Sequence, residues 1–69
     1  MGYIITVGNR NIARIYIDRF TCIDRLQPPG FSPLIFDTSA EAAEYINRNG
    51  LKSAEIKQEK IGKWGIEYV

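Results

Sequence analysis

Apolar and polar positions alternate with a period of two near both ends of this chain, and with a period close to 3.6 in one stretch between them. Residues 3–7 form a β-branched and aromatic run, followed at once by the turn chemistry of Gly8, Asn9 and Asn11. Residues 12–20 alternate well: Ala13, Ile15 and Ile17 fall on one face, Arg14, Tyr16 and Asp18 on the other. The two runs predict a hairpin with a short loop around residues 8–11. Residues 21–26 read as a third strand after a bend at Asp18-Arg19. Residues 27–33 (Gln-Pro-Pro-Gly-Phe-Ser-Pro) must be a loop, because three prolines remove backbone donors and hold their neighbours extended. The short apolar stretch 34–36 is expected to pair at a sheet edge.

One helix is specified at both ends. Thr38 is a good N-cap, and Glu41 three residues later completes a capping box. Ala42, Ala43 and Ile46 share one face, while Glu41, Glu44 and Arg48 face water. Gly50 suits the left-handed position that ends a helix, and Leu51 can pack back on Ile46. The helix is therefore expected over residues 39–49.

Residues 53–69 predict a second hairpin. A two-residue loop at Gly62-Lys63 would mix charge into an apolar face. A three-residue loop over residues 61–63 pairs Ile56 with Tyr68, Gln58 with Ile66 and Lys60 with Trp64. It gathers Ala54, Ile56, Trp64, Ile66 and Tyr68 inward and sets Lys57 opposite Glu67. The expected fold is α+β: a small antiparallel sheet of four to five strands, built from two hairpins, with one helix packed on one face. The order is β-β-(β)-α-β-β.

Length and composition bound the rest. With 69 residues there is room for one domain, residues 1–69, whose core must be thin. Nine basic against eight acidic residues leave a net charge of +1, without the basic excess that a phosphate-led binder carries. Residues 1–36 carry +2 and residues 37–69 carry −1, too small a difference to name a ligand. Cys22 is the sole cysteine, so no internal disulfide can form. No signal peptide and no membrane-length apolar run is read in the sequence, and the cytoplasm is the expected compartment, with no membrane partner.

Candidate chemistry is sparse. There is no histidine, which removes the commonest general base and the commonest metal ligand. One cysteine without histidine builds no zinc site, and no glycine pattern cradles a phosphate. Asp18 and Asp24, each beside an arginine, read as ordinary surface pairs. No catalytic residue, metal site or cofactor is expected.

Four residues stand out as partner-binding candidates. Arg14 and Tyr16 stand side by side on the expected outer face of the first hairpin, and arginine and tyrosine are enriched at interfaces. Phe31 sits on the stiff proline loop, either as an anchor or folded back into the core. Trp64 begins the last strand, mainly as core. The alternative set, Arg10, Arg14, Tyr16 and Arg19, suits nucleic acid through phosphate contacts and stacking.

Two resemblances follow. Residues 36–43, Phe-Asp-Thr-Ser-Ala-Glu-Ala-Ala, resemble the entry to the helix in the arm-type DNA-binding domains of phage integrases, which lay a three-stranded sheet in the major groove. In size, topology and missing chemistry the chain also resembles the orphan proteins of phages and mobile elements, including anti-CRISPR and other anti-defence inhibitors. That resemblance implies a non-catalytic module that occludes a host protein or complex, acting in the host cytoplasm. A homodimer is a further partner expectation, and nucleic acid stands behind a protein partner.

Overall fold

The computed structural model describes residues 2–28, 31–62 and 65–69. Five strands and one helix follow one another: β1 (Tyr3–Val7), β2 (Arg10–Tyr16), β3 (Cys22–Gln27), α1 (Ser39–Asn49), β4 (Ala54–Gly62) and β5 (Gly65–Tyr68). The strands form one antiparallel sheet in the order β3-β2-β1-β4-β5. The expected α+β class, element order and third strand all hold.

The helix obeys its local signals. The Thr38 side chain accepts a hydrogen bond from the Glu41 N–H at 3.2 Å, satisfying one of the free donors of the first turn. Gly50 takes the left-handed conformation (φ 61°), and the Leu51 N–H closes on the Ile46 carbonyl at 3.1 Å. Ala42, Tyr45 and Ile46 face the sheet, at the spacing of three and four that one helix face requires. Ala43, expected beside them, is exposed, and Tyr45 takes its place. The core gathers Ile5, Ile12 and Ala42, flanked by Leu26, Leu34, Phe36, Leu51, Ala54 and Ile56.

Cross-strand register decides which residues share the helix side of the sheet. Ile5 lies opposite Ile56, Val7 opposite Ala54, Ile12 opposite Leu26, Arg14 opposite Asp24 and Tyr16 opposite Cys22. Arg14 and Tyr16 are therefore on the helix side, not on an outer face as the alternation of Ala13, Ile15 and Ile17 suggested. Ile12 fixes this, because its side chain belongs to the helix-side core and residues two apart share a face. Ala13, Ile15 and Ile17 consequently run along the side that has no helix.

Residues 34–36 do not pair at an edge. The first hairpin turns on a two-residue loop, with Val7 opposite Arg10 and Gly8 at φ 64°, where only glycine is unstrained. After two pairs β1 and β2 part, and the stretch enters between them. The Leu34 N–H bonds the Ile12 carbonyl at 2.8 Å, while Phe36 and Tyr3 exchange both backbone bonds at 2.8 Å.

The second hairpin also departs from expectation. Lys60 lies opposite Glu67, Ile61 opposite Ile66 and Gly62 opposite Gly65. The expected pairs Ile56–Tyr68, Gln58–Ile66 and Lys57–Glu67 do not form, and the expected partner of Lys60, Trp64, lies outside the described residues. The reason is that β4 is shared lengthwise. Its first half pairs with β1 over the core and its second half with β5, so β5 need not bring its apolar residues beneath the helix. Ile66 is accordingly 60% exposed.

Candidate interaction surface

The loop joining β2 to β3 is tied by its own polar groups. The Asp18 carboxylate accepts from the Phe20 and Thr21 N–H groups at 2.8 and 2.9 Å. The N–H groups of Ile17 and Asp18 both donate to the Thr21 carbonyl, at 3.0 and 3.3 Å. This Asx-type turn satisfies the N–H groups of Ile17, Asp18, Phe20 and Thr21. The bonds from Phe20 and Thr21 hold the Asp18 carboxyl below the usual carboxylate range. Thus Asp18 serves the turn and does not pair with Arg19. At its apex stands Phe20, 90% exposed, with exposed Tyr16, Ile17 and Arg19 around it.

Arg14 is committed elsewhere. Its Nε donates to Asp24 Oδ1 at 2.8 Å and its second nitrogen to Oδ2 at 3.2 Å, a two-point guanidinium–carboxylate pair. The Tyr45 hydroxyl donates to the same carboxylate at 3.2 Å. Asp24 therefore pairs across the sheet with Arg14 and not with neighbouring Arg25. The hydrogen bond from Arg14 pulls the Asp24 carboxyl down, and Asp24 in turn pushes the Arg14 guanidinium up. Burial, then the charge of Asp24, pushes the Tyr45 phenol up.

The other candidates do not converge with Tyr16. Phe31 is half-exposed, and so does not fill the core. Its loop runs from Gln27, opposite Asn11, to Leu34, bonded to Ile12, which places it at the end of the sheet away from Phe20. Trp64 lies outside the described residues. Arg10 begins β2 and Tyr16 ends it, so six residues, about 20 Å, separate them. Arg10 thus stands at one end of the strand and Arg19 past the other. Sequence reasoning missed Phe20 and Ile17, although the Asp-Arg-Phe-Thr string carries an aspartate placed to cap a turn two and three residues on.

A shallow depression of about 240 Å³ lies between Phe36 and the outer side of α1, bounded by Glu41, Glu44, Tyr45 and Arg48. Glu44 is bonded by Arg48, so the glutamates there are not a free acid pair. Among the described residues no cluster of histidine, cysteine, aspartate or glutamate could hold a metal ion, and no helix is long and apolar enough to cross a membrane. Compared with protein-family models, with curated proteins and with solved structures, the chain matches none.

Proposed function

We propose that the chain is a non-catalytic protein-binding module that docks by the tip of its β2–β3 hairpin and covers a working surface of its partner. Phe20 carries this reading: a large apolar side chain, 90% exposed, on a turn already ordered by Asp18. An anchor that is ordered before binding loses little entropy on docking, and isolated aromatic anchors supply much of the energy of small interfaces. Exposed Tyr16 and Arg19 flank Phe20 in the chain, and the partner offers an apolar pocket with an acidic rim. Steric cover of this kind is how the mobile-element inhibitors that the chain resembles in size and topology would act on a host protein.

The nucleic-acid alternative gains little support. Arg14 is neutralised by Asp24, and Arg10 and Arg19 are too far apart to track one stretch of phosphate.

The test is capture from host lysate, with and without nuclease, by the wild-type chain and by a Phe20→Ser, Tyr16→Ser variant. A single protein retained through nuclease and lost in the variant is the expected result. Equal capture by the variant, or retention of nucleic acid alone, would overturn the proposal.

A further inference from the structure

Past Ile12 and Leu26 the β2–β3 hairpin stands clear of the rest of the sheet. β2 keeps two pairs with β1, at Arg10 and Asn11, and Ile12 then offers its carbonyl to the Leu34 N–H. The Ile17 N–H bonds the Thr21 carbonyl. By the alternation of an antiparallel ladder, Ile15 and Ile23 therefore also turn their backbone groups toward each other. The backbone groups of Arg14 and Tyr16 point to the side that β1 has left, and those of Cys22 and Asp24 to the open edge of the sheet. Among the described residues no backbone bond reaches either edge of residues 13–25.

The helix hardly supports this stretch. It packs mainly over β1 and β4, and on the hairpin the helix-side core ends at Ile12 and Leu26. Of the helix-side residues that follow, Arg14, Tyr16 and Cys22 are exposed. Asp24 is half-buried, and the Tyr45 hydroxyl donates to it at 3.2 Å. Arg14 grips that carboxylate at 2.8 Å from the neighbouring strand, so Asp24 moves with the hairpin. Tyr45 belongs to the body: its ring stands edge-on to Phe36, which exchanges two backbone bonds with Tyr3. Among the described residues, the Tyr45–Asp24 contact is the one hydrogen bond that ties residues 13–25 to the body. It is long for a hydroxyl donor, a bond that water readily replaces. A two-stranded hairpin without a third strand is marginal by itself, and segments with bare edges and little buried apolar surface open most easily.

We propose that residues 13–25 form an arm hinged at Ile12 and Leu26, and that the Tyr45 hydroxyl on Asp24 is the latch that holds it in line with the body. The latch regulates the docking site at the arm's tip. Closed, it presents Phe20 in one direction. Open, it lets the arm swing, and that direction must be fixed again when a partner binds, at a cost in affinity. The use of the arm rests on the docking role of Phe20, whereas the latch stands on the chain's own contacts.

Residual dipolar couplings of the free chain test it, on the wild type and on Tyr45→Phe. The substitution removes the hydroxyl and keeps the ring, and amide exchange in β1 and β4 checks that the body is intact. In the wild type the couplings of residues 13–25 are expected to fit the same alignment as those of β1 and β4. In Tyr45→Phe the unlatched population should rise about fivefold, the ratio that one hydrogen bond is worth. The arm's couplings should then shrink together while the body's stay. Arm couplings that still follow the body in Tyr45→Phe would overturn the latch. So would a wild type whose arm already departs from the body's alignment, or a variant in which β1 and β4 loosen as much as the arm. No partner enters the measurement, so a failed latch and a failed docking of Phe20 are told apart.

Discussion

Tyr45 on the helix and Asp24 on the edge strand β3 are joined by a hydrogen bond of 3.2 Å, and Arg14 holds the same carboxylate from β2. This three-residue contact is the polar link between the helix and the outer strands, at the rim of an apolar layer. It carries a pH signature. Asp24 titrates lower in the folded chain than in the unfolded one, so its contribution is present above roughly pH 4 and is lost as pH falls through the folded value. Asp24→Asn should lower stability by about 1 kcal/mol at neutral pH and by far less in acid. Urea unfolding at a series of pH values reads the difference. An equal loss at every pH would assign the effect to shape alone.

Tyr45 titrates in the opposite sense. Its folded pKa is raised, so its contribution is complete below about pH 10 and fades as pH rises through the folded value. Tyr45→Phe should flatten the alkaline limb of the stability curve while leaving the edge-on contact with Phe36, at 5.3 Å between ring centroids, in place. The difference between ultraviolet titrations of the wild type and of Tyr45→Phe should show an ionisation above the usual phenol range.

Among the described residues, Ile5 is the one large side chain that is fully buried. Truncation to alanine should cost about 2–5 kcal/mol, enough to unfold a domain whose whole margin is of that order. Ile5→Val, at about 1 kcal/mol, keeps the measurement within range of a denaturant curve.

Gly2 has no room for a side chain, because an added methyl would collide with Ile35 Cγ2. Gly2→Ala should destabilise by about 1–3 kcal/mol. In an Ile35→Ala background most of that cost should disappear, a coupling that a double-mutant cycle measures directly. No rescue would mean that the collision is relieved some other way.

Ser53 sits in the left-handed region at φ 58°, just ahead of β4. Glycine has no Cβ to strain there, and Ser53→Gly should raise the denaturation midpoint by the equivalent of up to about 1 kcal/mol. Gly50→Ala, at φ 61°, should lower it by a similar amount.

What could be read along the chain was what is decided within a few residues. Thr38, Glu41, Gly50 and Leu51 state the helix ends by themselves, and Gly8-Asn9 states the first turn. The register of β5 depends instead on how β4 divides its length between two neighbours, which no local pattern reports. Of the apolar residues of the second hairpin, Ala54 and Ile56 do turn inward, while Ile66 is exposed because β5 pairs with the part of β4 that lies beyond the core. Polarity alone puts Arg14 and Tyr16 outward; the deciding residues are Ile12, on the same face, and Tyr45, whose hydroxyl gives Asp24 a partner on the helix.

The entry of residues 34–36 between β1 and β2 sets an order of assembly. β2 and β3 can close as soon as both have been synthesised, because their pairing runs unbroken over six residues of each strand. β1 holds only two pairs with β2 and otherwise depends on Phe36 and on residues 54–58. The strand that leaves the ribosome first is thus among the last to find its partners. Its isoleucines wait in the nascent chain until β4 arrives, and pairing across so long a stretch of sequence is of the kind that slows folding more than the closing of a hairpin.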